Sequence, residues 1–127
     1  MNTGHERITV FIVDDDKGMR MALRRVLEIE QDMKIVGEAE SGEDVLSPSV
    51  RALGPDVILM DVQMPGINGL EATKRLREAG VQSKIIIFTQ FREYLARAIS
   101  VGANAGIYKP AGLERGALAS HIRMVVH

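Results

Sequence analysis

Three short runs of apolar residues that do not alternate with polar ones constrain the fold of this chain more than any other feature. They are ITVFIV at residues 8–13, DVILM at 56–60 and KIIIF at 84–88. A strand with one exposed face alternates apolar and polar residues, whereas a strand covered on both faces has no such alternation. The three runs therefore predict strands in the interior of a parallel sheet.

Two weaker segments, KIVGEAE at 34–40 and AGIYK at 105–109, have the character of edge strands. Between the five segments, apolar residues recur at the spacing of amphipathic helices. Strand and helix alternate five times, which predicts an α/β fold with a parallel sheet and helices on both faces. The length of 127 residues suits one domain, and no linker-like segment interrupts it. We therefore expect residues 1–127 to form a single domain.

Two local signals refine the helices. Asp16 directly precedes KGMRMALRRVLE and is expected to cap that helix, since a carboxylate can accept from the free N–H groups of the first turn. Pro48 lies in the middle of SGEDVLSPSVRALG, and proline inside a helix removes a hydrogen bond and clashes with the preceding turn. We therefore expect a kink or a break near Ser47.

Composition excludes several classes of function. The net charge of −1 and the absence of a basic recognition helix predict no direct contact with nucleic acid. The absence of cysteine excludes disulfides, thiolate catalysis and cysteine-based zinc sites. No stretch approaches the ~20 apolar residues of a membrane span, and the start of the chain lacks the apolar region of a signal peptide. A cytoplasmic protein that does not contact the membrane is expected.

Polar side chains follow four of the five predicted strands. In chain order they are Asp14, Asp15 and Asp16, then Asp61, then Thr89, then Lys109. Each has a common structural explanation on its own, such as a helix cap, an Asx turn or a solvated lysine before a turn. However, the carboxyl ends of parallel strands share one edge of the sheet, where α/β proteins bind ligands. The coincidence favours a functional site at this edge.

The chemistry of such a site follows from its charges. Carboxylates about 4 Å apart repel by about 4 kcal/mol at an effective dielectric of about 20, so a cluster of them requires a cation. Oxygen ligands favour Mg²⁺ or Mn²⁺. A carboxylate beside such a cation, an ammonium and a hydroxyl can accept a phosphoryl group, as carboxylate nucleophiles do in some enzymes.

Four motifs together resemble the response-regulator receiver domain of two-component signalling: IVDDDKGMR, DVILMDVQMPGINGLE, IIIFT and GANAGIYKP. The resemblance runs from about residue 7 to the C-terminus. The segment DMKIVGEAESGED is similar to the subfamily that carries a LuxR-type helix-turn-helix output domain. The resemblance implies a flavodoxin-like sheet of five parallel strands in the order 2-1-3-4-5.

The resemblance also implies a role for each strand-end residue. Asp61 would be the phosphoacceptor, Thr89 the hydroxyl that responds to the phosphoryl group, and Lys109 the cation that pairs with it. Asp16 would lie outside the site as the helix cap. The Mg²⁺ ligands would be Asp14, Asp15, Asp61 and the backbone carbonyl of Gln63.

A receiver domain would be a signalling switch that assists its own phosphotransfer rather than an enzyme. A sensor histidine kinase would phosphorylate it, and phosphorylation would favour a homodimer. It would control transcription through an output domain outside this chain, or act as a stand-alone receiver or phosphorelay protein.

The chain departs from the usual receiver pattern at three points. Gly106 occupies a position that commonly holds an aromatic residue, and we expect Tyr108 to point to the opposite face of the strand from that aromatic. The interval from Thr89 to Gly102 is shorter than usual. Gln90 replaces a small residue, which predicts narrower access to the phosphoryl site.

One alternative is a true enzyme. Asp14 and Asp16 form a D-x-D pair similar to the start of haloacid-dehalogenase-type phosphatases, in which Asp14 would be the nucleophile. Gly18 stands where that family usually has threonine or valine. The residue that becomes phosphorylated distinguishes the two readings: Asp61 in a receiver, Asp14 in a phosphatase.

Overall fold

One parallel sheet forms the centre of the molecule. A computed structural model describes residues 6–127. Its strands are β1 (Ile8–Val13), β2 (Met33–Ala39), β3 (Val57–Met60), β4 (Lys84–Thr89) and β5 (Ala105–Tyr108). All neighbouring strands pair in parallel, in the order β2-β1-β3-β4-β5. The predicted order is confirmed, and so is the placement of the two weaker segments at the edges.

Seven α-helices are found in residues 6–127. They are α1 (Lys17–Glu28), α2 (Gly42–Val45), α3 (Pro48–Leu53), α4 (Gly69–Glu78), α5 (Leu95–Ser100), α6 (Lys109–Gly112) and α7 (Ala117–Val126). A 3₁₀ turn (Arg92–Tyr94) leads into α5. No helix in this part of the chain has the length and apolar character needed to cross a bilayer.

The sheet separates two apolar cores. Val45, Leu76 and Ala98 of α2, α4 and α5 pack with Ile85 and Ile87 on one face. Leu23, Leu27, Leu118 and Ile122 of α1 and α7 pack with Ile86 and Phe88 on the other. From Ile85 to Phe88, successive residues of β4 therefore enter different cores, and all four are buried. This explains why the central strands show no polar alternation.

The predicted helix boundaries near Asp16 and Ser47 are confirmed. Asp16 is the N-cap of α1, and its carboxylate accepts from the backbone N–H of Met19 at 3.2 Å. The helical segment around Pro48 is broken into two, with Ser47 as the N-cap of α3. Proline is favourable at the first helical position because that N–H has no intrahelical partner.

A partly buried arginine fixes the loops at the opposite edge of the sheet from the aspartates. The guanidinium of Arg77 donates to four acceptors at 2.8–2.9 Å: the carbonyls of Val81, Ser83 and Gly102, and the side-chain oxygen of Asn104. Burial lowers the pKa of Arg77. These bonds join the end of α4 to the segments that enter β4 and β5.

Candidate functional site

A buried lysine bridges two buried aspartates at the carboxyl edge of the sheet. Nζ of Lys109 lies 2.9 Å from Oδ2 of Asp14 and 3.0 Å from Oδ1 of Asp61. The exposed fractions are 8% for Lys109, 1% for Asp14 and 7% for Asp61. The convergence of these strand ends is as the sequence predicts. Lys109 follows β5 as the first residue of α6, rather than ending the strand.

The protonation of Asp61 and Lys109 reflects this burial. Burial and the neighbouring Asp14 raise the pKa of Asp61 to about 6, although Lys109 opposes the shift. Burial alone would lower the pKa of Lys109, but the bond to Asp14 and the charge of Asp61 outweigh it and raise that pKa. The lysine is therefore held as a cation. Its charge does not fully offset the cost of burying the Asp61 anion next to Asp14.

The acidic cluster can hold a divalent cation. Asp14, Asp15 and Asp61 each offer a carboxylate oxygen, and these atoms all lie within 4.8 Å of one another. Three carboxylates with one lysine leave a net negative charge, and every donor is a hard oxygen. This donor set fits Mg²⁺ or Mn²⁺.

The cluster lies at the base of an open cleft of about 280 Å³. Its lining residues follow β1, β3, β4 and β5 in the chain: Asp14, Asp15, Asp16, Met19, Asp61, Gln63, Gln90, Phe91 and Lys109. Gln63 and Gln90 are exposed at this cleft. A small anion such as a phosphoryl group can therefore reach Asp61 from solvent.

Thr89 lies next to the cleft without lining it. It is the last residue of β4, is 1% exposed, and its hydroxyl oxygen accepts from the backbone N–H of Phe91 at 3.1 Å. The hydroxyl thus serves in a local turn in this structure. Accepting that bond leaves the hydroxyl proton free to donate.

Both carboxylate oxygens of Asp14 are already bonded. Oδ2 pairs with Lys109, and Oδ1 accepts from the backbone N–H of Asp16 at 2.9 Å. These bonds and its almost complete burial make Asp14 a poor nucleophile. The geometry thus disfavours the phosphatase reading, in which Asp14 would attack.

Arg20 is a site neighbour that the sequence pattern did not reveal. It is 8% exposed, donates to the backbone carbonyl of Asp14 at 2.7 Å, and donates to Oε1 of Glu38 at 2.8 Å. The helical spacing of the sequence could have revealed it, because Arg20 shares the buried face of α1 with Leu23 and Leu27. An arginine on the apolar face of a helix indicates a buried polar partner.

Comparison with known proteins decides the family. The response regulator receiver domain family matches residues 10–122. The chain belongs to this family. Receiver domains are signalling switches, and they bind Mg²⁺ at an acidic cluster of the kind described above.

Curated relatives of this receiver domain are longer proteins. It is 41% identical to the response regulator GacA of Pseudomonas aeruginosa over 109 residues, which are 84% of this chain and 50% of that protein. It is 38% identical to the transcriptional regulatory protein DesR of Bacillus subtilis over 122 residues, 94% of this chain and 59% of that protein. The chain thus spans about half the length of the curated relatives it matches.

Solved structures of receiver domains have the same fold. The response regulator domain of Thermotoga maritima CheB is 31% identical, with a TM-score of 0.84 over 95% of this chain and 97% of that one. A LuxR-family response regulator from Aurantimonas sp. is 26% identical, with a TM-score of 0.86 over 95% and 86%. The flavodoxin-like fold and the LuxR-type resemblance are confirmed.

The predicted orientation of Tyr108 in this receiver domain is wrong. A β-carbon on Gly106 would lie 3.0 Å from Cδ2 of Leu95 in α5, and the Tyr108 ring lies 4.4 Å from the guanidinium carbon of Arg92, just before α5. Both positions therefore face the same side of the sheet. Residues two apart in a strand share a face, so Tyr108 lies on the face of Gly106.

Proposed function

We propose that this receiver domain is a phosphorylation-dependent switch in which Asp61 accepts the phosphoryl group. The main support is the bridge that Lys109 makes between Asp14 and Asp61 at the base of an open cleft. A carboxylate oxygen of Asp61 would attack phosphorus as the bond to the donor breaks. The donor would be a phosphohistidine of a sensor histidine kinase or a small molecule such as acetyl phosphate.

Several side chains would assist this transfer. Lys109, held as a cation, would pair with one phosphoryl oxygen, and the Thr89 hydroxyl would donate a hydrogen bond to another. Mg²⁺ or Mn²⁺ would be held by Asp14, Asp15, Asp61 and the backbone carbonyl of Gln63. When bound, the metal supplies positive charge that offsets the clustered carboxylates and the phosphoryl oxygens.

Phosphorylation would change the affinity of this domain for its partners. The phosphoryl group carries roughly −1.5 to −2 charge and replaces the single charge of the Asp61 carboxylate, so the site becomes more negative and the surrounding contacts must adjust. We propose that a homodimer is favoured in this state and that the domain acts in the cytoplasm as one unit. Transcription would be controlled through a LuxR-type output domain, while this domain itself makes no contact with DNA. Action as a stand-alone receiver or phosphorelay protein is the second candidate.

Phosphorylation with a small donor tests this function. Wild-type protein, Asp61→Asn and Asp14→Asn are incubated with acetyl phosphate, with and without Mg²⁺, and the modified residue is mapped by mass spectrometry. We expect one phosphoryl group on Asp61 of the wild type only when Mg²⁺ is present. Labelling of Asp61→Asn to the wild-type level would reject the assignment. A phosphoryl group on Asp14 would support the phosphatase alternative.

A further inference from the structure

The space beside Gly106 is filled by α5. A β-carbon at this position would lie 3.0 Å from Cδ2 of Leu95 and 3.4 Å from Cβ of Ala98. Contacts this short require the neighbouring side chains to move, so position 106 itself has no room for a larger side chain. A change at the acidic cleft must reach the surface near α5 through other residues.

The residues that follow Thr89 provide such a route. We call residues 90–94 the rim segment, because Gln90 and Phe91 line the cleft. The backbone N–H of Phe91 donates to Thr89, and the Phe91 ring meets Tyr94 edge to face, with centroids 6.2 Å apart. Aromatic pairs of this geometry attract each other beyond the area they bury. These contacts thus connect Thr89 to Tyr94 through Phe91 of the rim segment.

Tyr94 also reaches the other wall of the cleft. Nε2 of Gln63 lies 3.4 Å from the Tyr94 hydroxyl, a long hydrogen bond. Gln63 lines the cleft two residues after Asp61, and Tyr94 is half-buried. The amide of Gln63 is both donor and acceptor, so either of its ends can bind a hydroxyl. Tyr94 therefore links the loop after β3 to the rim segment after β4.

We propose that Tyr94 is a positioning residue that holds the Gln63 side chain at the mouth of the acidic cleft. This inference rests on the proposed function, because it concerns access to a phosphoryl group on Asp61. The Tyr94 hydroxyl keeps the Gln63 amide over the cleft, where it limits the approach of water. A phosphoryl group on Asp61 would displace this amide and thereby change the environment of the Tyr94 ring.

Tyrosine fluorescence tests the link directly, because the chain has two tyrosines and no tryptophan. In Tyr108→Phe the only tyrosine is Tyr94, and in Tyr94→Phe the only one is Tyr108, which packs on Arg92 outside the cleft lining. Each variant is titrated with beryllofluoride and Mg²⁺, and binding is followed independently by ¹⁹F NMR. We expect a larger change in emission from Tyr108→Phe than from Tyr94→Phe, because Tyr108 meets the rim segment at Arg92 but does not line the cleft. Unchanged Tyr94 emission while the ¹⁹F signal shows binding would overturn the proposal.

The lifetime of the phosphoryl group provides a second readout. Tyr94→Phe keeps the ring that meets Phe91 but removes the hydroxyl that meets Gln63. We expect it to speed loss of the phosphoryl group about two- to threefold, the lower end of the range for one hydrogen bond, because this bond is long and exposed. Tyr108→Phe, the matched control, is expected to match the wild type. An unchanged or slower loss in Tyr94→Phe would reject the positioning role, whereas failure of every variant to bind beryllofluoride or accept phosphate would reject the proposed function itself.

Discussion

A β-carbon on Gly69 would lie only 1.9 Å from the backbone carbonyl oxygen of Asp61. The N–H of Gly69 also donates to the carbonyl of Val62 at 2.9 Å, so the start of α4 lies directly against the strand end that carries Asp61. No side chain other than hydrogen fits between these two backbones. Gly69 therefore sets how closely α4 approaches the proposed phosphoacceptor.

Gly69→Ala is expected to lower the free energy of unfolding by about 1–3 kcal/mol, because the methyl group must displace backbone rather than a flexible side chain. Urea unfolding measures this loss. Gly18→Ala is the matched control, since a β-carbon there meets only carboxylate oxygens of Asp16 at 3.7 and 3.8 Å. Alanine in place of glycine in α1 should stabilise by roughly 0.5–1 kcal/mol. Equal stability of the two variants would contradict the close approach.

Asp61→Asn is expected to stabilise the metal-free protein at neutral pH. The pKa of Asp61 is about 6 in the folded protein against an ordinary value of 3.8, so between these values the folded state binds more protons than the unfolded state. Stability therefore falls as pH rises through this window, and the asparagine variant escapes the loss. We expect a gain of up to about 3 kcal/mol near neutral pH and none below about pH 4. Urea unfolding in EDTA at both pH values checks this, and a less stable variant at neutral pH would contradict it.

Lys109→Ala should accept a phosphoryl group without forming the dimer that phosphorylation otherwise favours. The variant retains Asp61 and the metal-binding carboxylates, so we expect some phosphorylation with Mg²⁺. It lacks the ammonium that pairs with the phosphoryl group, so we expect no dimer in light scattering after phosphorylation. Lys34→Ala, which alters an exposed lysine of β2, is the control and should dimerise. Normal dimerisation of Lys109→Ala would remove this role from the lysine.

Arg77→Lys should destabilise the fold far from the acidic cleft. Lysine cannot reproduce the four bonds of the guanidinium, and the part-buried carbonyls of Val81, Ser83 and Gly102 would each lose a hydrogen bond of about 1 kcal/mol. We expect a loss of at least about 2 kcal/mol in thermal or urea unfolding. Arg75→Lys is the control, because Arg75 is half-exposed and pairs with Glu71 at 3.0 Å. Such exposed pairs contribute about 0–1 kcal/mol. Similar losses for both variants would refute the role of Arg77.

Gln90→Ala is expected to speed loss of the phosphoryl group. Gln90 is an exposed residue on the lining of the cleft, so shortening its side chain opens the path for water. The half-life of phosphorylated protein, followed by release of phosphate, measures the effect. Gln82→Ala, which changes an exposed glutamine near the opposite edge of the sheet, should leave the half-life unchanged. An unchanged half-life in Gln90→Ala would exclude this steric role.

The sequence was informative where one rule of local physics dominated. Apolar runs without alternation predicted the central strands, because no residue of β4 from Ile85 to Thr89 is exposed to solvent. The carboxyl-end rule for parallel sheets then predicted that Asp14, Asp61 and Lys109 would meet. A salt-bridged centre built from residues 95 positions apart was therefore predictable without any tertiary information.

Features that depend on distances between elements were not predictable in this way. The buried face of α1 could be read from its spacing, but the carbonyl that Arg20 contacts could not. The requirement for glycine at position 69 arises from the approach of α4 to β3, which no local pattern encodes. The orientation of Tyr108, in contrast, was predictable, because strand periodicity places it on the face of Gly106. That error came from assigning the face incorrectly, not from missing information.

The separation of the two cores by the sheet has an evolutionary consequence. Residues of α1 and α7 pack against one face, and residues of α4 and α5 against the other, with only the strands in common. Distant substitutions with no shared partners generally have additive effects on stability. Each helical layer of this receiver domain can therefore diverge at its own pace, so that one set of surface contacts can be replaced while the other is inherited unchanged.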